Sequence, residues 1–281
     1  MREIKASQIS VAVIELVRRA NFILRKDVLS ALRSAYRLEK NKRSKAIFRA
    51  ILDNAAYAKK ENLAICQDTG MPVVFIDVGQ DVKISGDLKT AINKGVRDGY
   101  KKYALRNSIV ADPLLRGGPK FAPCVIHMDI VKGNKIKLTV LPKGFGCENK
   151  SRLMMFKPTA SIEEITKFII DAVKSAGPDA CPPYVVGVGI GGTADCVSLL
   201  AKKALLKRIE PQRGLSSKGT VPGLEQELLT KINNLNIGPM GLGGKTTALA
   251  VNIEIYPTHI AGLPVSVNIS CHALRSASVI L

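Results

Sequence analysis

The sequence predicts an α+β fold, in which N-terminal helices are followed by mixed β-sheets with packed helices. We expect one large unit, which is long enough to form two lobes. Apolar residues recur at helical spacing to about residue 60, and after Asn62 short apolar runs bounded by glycine replace them. The later helical and strand-like segments do not alternate regularly, which argues against a repeating βαβ architecture. With 281 residues, 46% of them apolar, the chain is long enough to bury a core of this kind.

The N-terminal part, residues 6–60, is predicted to form three helices. The first carries an apolar stripe on one face, made of Ile9, Val13, Leu16, Val17 and Ala20. Ser7 and Asp27 are the expected N-caps of the first two helices, because a short polar side chain there accepts a free backbone N–H. The third helix, residues 44–60, carries Ile47, Ile51 and Ala55 on one face. We expect all these stripes to pack into a core.

The strand-like part begins with two glycine-bounded runs, residues 71–79 and 81–86. A helix is predicted over 88–103, and a loop over 105–119. Two alternating strands, 124–133 and 135–144, follow on either side of a Gly133–Asn134 turn, which suits a hairpin. The remaining expected elements are a loop at 143–151, helices at 161–176, 194–207 and 223–235, a polar connector before the last of these helices, and strands from about 184 to 191 and towards the C-terminus.

The net charge of +19 needs an explanation. Nucleic-acid binding is one reading, but the sequence has no zinc finger and no RNA-recognition signature, and only 5% of its residues are aromatic, with no Trp for stacking. Solvated helix faces are a second reading, for the basic runs at 40–45 and 202–208. The reading we favour is a basic subunit that docks onto an acidic partner or attracts a dicarboxylate substrate.

The location is predicted from apolar segments and cysteine usage. The sequence has no run of about 18 apolar residues, as a spanning helix requires, and its start, MREIKASQIS, lacks the apolar segment of a secretory signal. Six cysteines are too few for a disulfide scaffold in a chain of this length. We therefore expect a cytoplasmic protein with no membrane association, whose cysteines are reduced.

A glycine-rich segment after an apolar run, Gly187 to Gly192, fits the GxGxxG pattern of dinucleotide-binding proteins. Glu210 stands about 20 residues further on, where such proteins carry the ribose partner. The segments after Glu210 do not alternate as a βαβ unit requires, so we favour a turn whose backbone N–H groups face an anion or a sulfur atom. A nicotinamide-linked oxidoreductase stays an alternative that a cofactor titration tests.

Three cysteines stand beside polar, proline or glycine residues: Cys66 in ICQDTG, Cys181 in ACPPYVVG and Cys271 in NISCHALR. Cys124 and Cys196 are expected to be buried small apolar residues, as most single cysteines are. Three separated thiolates can hold a four-iron cluster at three corners and leave one iron open to substrate as a Lewis acid. Spacing alone does not decide for a cluster, because cluster cysteines more often come in runs.

Seven segments together resemble the alpha subunit, or N-terminal region, of class I iron–sulfur hydro-lyases, the family of fumarate hydratase and L-tartrate dehydratase. They occur in the family's order from about residue 10 onwards: ICQDTGMPVVF, LRNSIVADPLLR, KGFGCENKS, CPPYVVGVGIGGTAD, GPMGLGGKTTALAV, PTHIAGLPVSVN and SCHALRSASV. The resemblance implies a [4Fe-4S] cluster held by Cys66, Cys181 and Cys271. It implies reversible hydration of fumarate to L-malate, with dehydration of L(+)-tartrate as the alternative.

The resemblance also implies roles for residues around the cluster. Asp68 is expected to act as general acid and base, since a carboxylate beside such a centre can have a tuned pKa. His259 is expected to reach substrate, in its own chain's site or in that of a neighbouring subunit. The expected substrate-binding residues are Gln67, Arg106, Gly144 and Gly146, of which Arg106 would bind a carboxylate and the glycines would bring backbone N–H groups close.

Two features qualify the resemblance. The family loop usually reads KGGGSENKS, whereas this chain has Phe145 and Cys147 in it. Cys147 could be a chance thiol, a spare ligand or a near-isostere of serine, and we favour the last. The sequence also stops ten residues after Cys271, without the C-terminal half of the fused family members. We therefore expect a separate beta subunit, most simply in an α2β2 assembly, and little activity from the alpha chain alone.

Overall fold

The computed structural model describes residues 1–209 and 223–281 and has the predicted α+β fold. It divides the chain into two compact units. Unit 1 comprises Met1–Arg25, Asn54–Phe145 and Arg275–Leu281, and unit 2 comprises Lys26–Asp53 and Gly146–Leu274. Glu210 and most of the expected polar connector lie outside the described residues. Among those described, no helix combines the length and the apolar character that crossing a bilayer demands.

The three N-terminal helices are confirmed: α1 is Ala6–Phe22, α2 is Lys26–Leu38 and α3 is Lys42–Glu61. The two expected N-caps are wrong. A short strand, β1 (Arg2–Lys5), leads directly into α1, so that Lys5 is the cap and Ser7 lies inside the first turn. Asp27 lies inside the first turn of α2, where its carboxylate accepts the N–H of Ile209 at 2.9 Å.

Unit 1 contains a four-stranded sheet in the order β10-β5-β2-β4. Its strands are β2 (Met71–Gly79), β4 (Val125–Val131), β5 (Ile136–Lys143) and β10 (Ala277–Ile280). The strand β3 (Val82–Ser85) pairs with β1 in a separate parallel ribbon. Helix α4 (Leu88–Lys102), capped by Asp87, packs against α1, and both contribute to the core over the face that carries Val74 and Ile76.

The predicted hairpin between β4 and β5 is wrong. Strand β2 lies between them, parallel to β4 and antiparallel to β5. The turn at Gly133 therefore crosses the end of β2, where Asp81 donates to the Gly133 carbonyl and Gly79 donates to that of Lys135. Strand β2 is apolar on both faces, so it takes the central position and separates two strands that are neighbours in sequence.

Unit 2 contains a sheet in the order β6-β9-β7-β8. Its strands are β6 (Arg152–Phe156), β7 (Tyr184–Gly191), β8 (Ala248–Tyr256) and β9 (Leu263–Ser270); β7 is parallel to β8 and antiparallel to β9. The helices are α5 (Phe145–Glu148), which starts at the end of unit 1, α6 (Ile162–Ala176), α7 (Ala194–Ala204) and α8 (Leu224–Asn233). Neither α5 nor β6 is predicted by the sequence analysis.

The GxGxxG segment brings a helix onto the sheet. A Cβ on Gly187 would stand 2.1 Å from the Ala201 carbonyl oxygen, and one on Gly189 would stand 2.2 Å from that of Val197. Both contacts are to the backbone of α7, so glycine is required for the helix to lie this close to β7. The opposite face of β7 packs against α6 and α8. Helix packing thus accounts for these two glycines, without either the dinucleotide or the anion that the sequence pattern suggested.

Candidate active site

The segment of Cys66 to Gly70 lies at one end of the strands of the unit 1 sheet, directly before β2. Gly144 follows β5 at the same end, because β5 is antiparallel to β2 and pairs Lys143 with Met71. Arg275 precedes β10 at this end as well, because β10 is antiparallel to β5. The sheet topology therefore collects chain segments that are more than 200 residues apart in sequence.

The Asp68 carboxylate at this end of the sheet is held by two backbone N–H groups. Its Oδ1 accepts the N–H of Gly70 at 3.0 Å, and its Oδ2 accepts the N–H of Phe145 at 2.9 Å. A Cβ on Gly144 would approach Oδ2 to 3.1 Å, so the glycine leaves space for the carboxylate. Asp68 is half-buried while Gln67 beside it is exposed. The carboxylate therefore has a fixed direction and access to a ligand.

Thr69 connects this segment to Arg106. The Thr69 hydroxyl accepts the Arg106 N–H at 3.0 Å and lies 3.3 Å from the Arg106 carbonyl oxygen, to which it can donate. The buried hydroxyl of Tyr100 donates to the Thr69 carbonyl at 2.7 Å. Burial raises the pKa of Tyr100 well above its usual range, so that its hydroxyl remains a donor. The Arg106 side chain is exposed, and its backbone is fixed beside Asp68.

Cys181 and Cys271 come together in unit 2. Cys181 precedes β7 and Cys271 follows β9, and because these strands are antiparallel both cysteines lie at one end of the sheet. His272 donates from its backbone N–H and from Nδ1 to the Cys181 carbonyl, at 3.4 and 3.1 Å. Both thiols are half-buried. Cys181 has φ +55°, an uncommon backbone conformation for a residue with a side chain, and one that is concentrated at functional sites.

The segment of Gly146 to Glu148 lies close to Cys181. The Cys147 thiol is buried and donates to the carbonyl of Ala180 at 3.3 Å. Glu148 accepts from Lys202 Nζ at 2.6 Å and from Asn268 Nδ2 at 3.1 Å, which fixes the segment to α7 and β9. Lys202 is therefore a structural partner here rather than part of a solvated helix face. Gly146 is exposed, as a residue that approaches a ligand would be.

His259 lies far from the two cysteines of unit 2. It is in the exposed connection between β8 and β9, where its Nδ1 accepts the N–H of Ala261 at 3.2 Å. Cys271 is at the other end of β9, and the seven steps of this strand span about 24 Å. His259 therefore cannot act beside Cys181 and Cys271 of its own chain without a large rearrangement of unit 2.

Cysteine ligands for an iron–sulfur cluster are thus available in both units, with Cys66 in unit 1 and Cys181 and Cys271 in unit 2. The residues of unit 2 suit such a cluster, because two accessible thiols lie at one end of the sheet and one of them, Cys181, has a strained backbone conformation. Across the described ranges, no three His, Cys, Asp or Glu side chains are close enough to bind a single metal ion. The thiolates that hold a [4Fe-4S] cubane lie further apart than the ligands of a single ion, because the three thiolates bind three different irons.

Three residues at these sites were not singled out as functional from the sequence: Thr69, Tyr100 and Arg275. Each of them makes a hydrogen bond to or from the Cys66–Gly70 segment, and none acts through an exposed group. The available signal was weak. Thr69 stands inside the ICQDTG motif, and Arg275 follows Cys271 by four residues.

The described residues thus include a carboxylate of fixed direction beside one cysteine, and two further half-buried cysteines. Comparison with known proteins shows the family of the chain. The family model of fumarate hydratase (fumerase) matches residues 10–280, and the chain belongs to this hydro-lyase family. The chain is also similar to proteins with the name of a second dehydratase.

One such relative is a protein of Methanocaldococcus jannaschii named "Putative L(+)-tartrate dehydratase subunit alpha". It is 42% identical over 278 residues, which cover 96% of each chain. The L(+)-tartrate dehydratase subunit alpha of Escherichia coli (strain K12) is 28% identical over 259 residues, 91% of this chain and 84% of that one. The match in both cases extends over nearly the whole chain described here.

Proposed function

We propose that this chain is the alpha subunit of an iron–sulfur fumarate hydratase, which interconverts fumarate and L-malate. The observation that carries the proposal is the Asp68 carboxylate, which two backbone N–H groups direct, two residues from Cys66. Elimination of water from malate removes a proton from the carbon beside a carboxylate, and a positioned carboxylate is suited to accept it. Membership of the fumarate hydratase family supports the same reaction.

In this proposal Cys66, Cys181 and Cys271 hold a [4Fe-4S] cluster. When bound, the cluster supplies a Lewis acid for the hydroxyl group that leaves the substrate. Their sulfur chemistry supports this assignment, since thiolates are the usual ligands of such clusters. Cys147 is the serine-like residue of its loop, because its thiol is buried against the Ala180 carbonyl.

The chain's own residues bind the substrate and move its proton. Asp68 accepts the proton in dehydration and returns it in hydration. Arg106 and Gln67, which are both exposed, bind a substrate carboxylate, the former through a bidentate guanidinium. Gly144 and Gly146 lack side chains that would keep the substrate from the backbone. The net charge of +19 attracts a dicarboxylate to the protein.

His259 acts in the site of a neighbouring alpha chain in this proposal. Its position at the other end of β9 from Cys271 supports this choice over action in its own chain. A two-fold arrangement would give each site one His259 from the partner copy. A separate beta subunit completes the assembly as α2β2, and the relatives named as alpha subunits support such a partner. A reducing compartment such as the cytoplasm suits free cysteines.

Dehydration of L(+)-tartrate is the second candidate, and the names of the two relatives favour it. L-malate and tartrate differ by one hydroxyl group, so the same carboxylate, that of Asp68, can accept the proton when either substrate loses water. A site that hydrogen-bonds this hydroxyl group would discriminate strongly against malate.

The decisive experiment uses the alpha chain reconstituted without oxygen with iron and sulfide, together with its beta subunit. Visible and electron-paramagnetic spectra are recorded before and after addition of L-malate and of L(+)-tartrate, and products are measured. We expect a cluster spectrum that substrate alters, and fumarate formed from malate. Oxaloacetate from tartrate, without turnover of malate, would assign the second function. Absence of a cluster, together with steeply salt-dependent binding of DNA or RNA, would contradict both and favour a nucleic-acid-binding protein.

A further inference from the structure

Arg275 is a buried cation that neither the proposed reaction nor the cluster uses. Only 3% of it is exposed. Its Nη2 donates to the Asp68 carbonyl at 2.6 Å, and its Nη1 lies 3.4 Å from Asn21 Oδ1. Both groups belong to unit 1, as Arg275 itself does. The guanidinium therefore connects the segment before β10 with the segment that carries Asp68.

The partners of Arg275 are unusual for a buried charge. A buried guanidinium is normally paired with a carboxylate, because removal of a charge from water is costly. Among the residues described, Arg275 has no ion pair within 4.0 Å, and its Nε has no hydrogen-bond partner. Its acceptors are two neutral oxygens.

The contact acts on the backbone of the functional residue. The Asp68 carbonyl is bonded to Arg275, and the Asp68 carboxylate is bonded to Gly70 and Phe145. Arg275 thus holds the backbone of the residue whose carboxylate accepts these two backbone N–H groups. Nη2 would also lie 3.9 Å from a Cβ on Gly144, so the charge stands close to the same carboxylate.

We propose that Arg275 is a positioning residue of the candidate active site: its buried guanidinium holds the Asp68 backbone, and through it the direction of the Asp68 carboxylate. The proposal deepens the proposed function and rests on it, because Asp68 is there the acid–base group. Arg275 does not contact substrate in this role.

The test compares Arg275→Lys, which keeps the charge but loses the fork of donors, with Arg275→Ala. The matched control is Arg19→Lys, since the exposed Arg19 also reaches a backbone carbonyl of unit 1, that of Ser278 at 3.5 Å. The first measurement is amide hydrogen exchange of Gly70 and Phe145 in the full alpha chain without cofactor. We expect exchange about tenfold faster or more in both Arg275 variants, the factor that loss of a hydrogen bond from a charged donor commonly brings. The control should match the wild type.

The second measurement is turnover of the reconstituted complex, per cluster, with the better of the two substrates. We expect kcat to fall by about 10- to 100-fold in Arg275→Lys, as for a misplaced catalytic group, with KM changed by less than about twofold. Ethylguanidinium, which fills the space left in Arg275→Ala, should restore part of kcat. A merely structural role would lower the melting temperature without this split or this rescue.

Three results would overturn the proposal: unchanged exchange at Gly70 and Phe145, an unchanged kcat, or a raised KM with normal kcat, which would make Arg275 a substrate-binding residue. A wild-type complex that turns over neither malate, fumarate nor tartrate is a different failure. It would remove the proposed function, and the amide exchange would by itself decide whether Arg275 holds Asp68.

Discussion

Replacement of Gly189 by alanine tests why this chain contains a GxGxxG segment. The added methyl carbon would stand 2.2 Å from the Val197 carbonyl oxygen and 2.9 Å from the Ala201 nitrogen, both in the backbone of α7. Ordinary van der Waals contacts of a Cβ begin at 3.4 Å, so α7 has to move by about 1 Å from β7. The fully buried Val197 and Ala201 side chains move with it.

We expect Gly189→Ala to lower the free energy of unfolding by about 3 kcal/mol, the upper end of the cost of overpacking. The melting temperature should fall by roughly 6–12 °C. The assay is urea unfolding followed by circular dichroism, with Gly262→Ala as the control. Gly262 is in the same unit, and a methyl group there meets no heavy atom within 4 Å.

A loss below about 1 kcal/mol relative to that control would refute the packing explanation. The glycines would then need another role, and titration with a nicotinamide dinucleotide would be the next measurement.

Other predictions concern the functional groups. Asp68→Asn should abolish turnover while the visible spectrum of the cluster is retained; turnover like that of the wild type would remove Asp68 from the mechanism. Co-expression of the Asp68→Asn and His259→Ala chains should recover about a quarter of wild-type activity if His259 acts in the neighbouring chain's site, because half of the pairs are mixed and each has one intact site; no recovery would place His259 in its own chain's site. Burial raises the pKa of the Cys124 thiol from its ordinary 9.0 to about 11. The unfolded chain then loses this proton first, so stability should fall as the pH rises from about 9 to about 11. Cys124→Ala should show a smaller fall over this interval, measured by urea unfolding, and an equal fall would contradict the assignment.

The sequence predicted well those elements that have a strong internal pattern. The approximate positions of α1, α3, α4 and α6 agree with the predicted helices, and the structure shows Ser161 as the cap of α6, where its hydroxyl accepts the N–H of Glu164. Strand β6 has no such pattern, since four of its five residues are exposed. The hairpin was wrongly predicted because local turn chemistry at Gly133 carries no information about a third strand that takes the position between its neighbours.

From the sequence, candidate site residues could be singled out only where a reactive side chain stands in a motif. Cys66, Asp68, Cys181 and Cys271 are of this kind. The residues that orient them are different, because Arg275 reaches Asp68 across 207 positions of sequence. Such a contact depends on the sheet order β10-β5-β2, which periodicity does not reveal. The glycines of β7 were misleading for a related reason: close helix packing and phosphate binding require the same small residue.

Unit 1 begins in sequence with elements such as α1, residues 6–22, but the edge strand of its sheet, β10, is formed by residues 277–280. Just beyond β10, Leu281 exchanges both backbone hydrogen bonds with Ile136 of β5. All of unit 2 is therefore synthesised before the strand that completes the sheet of unit 1. During translation, the contact between Arg275 and the Asp68 carbonyl can therefore form only after all of unit 2 has been synthesised.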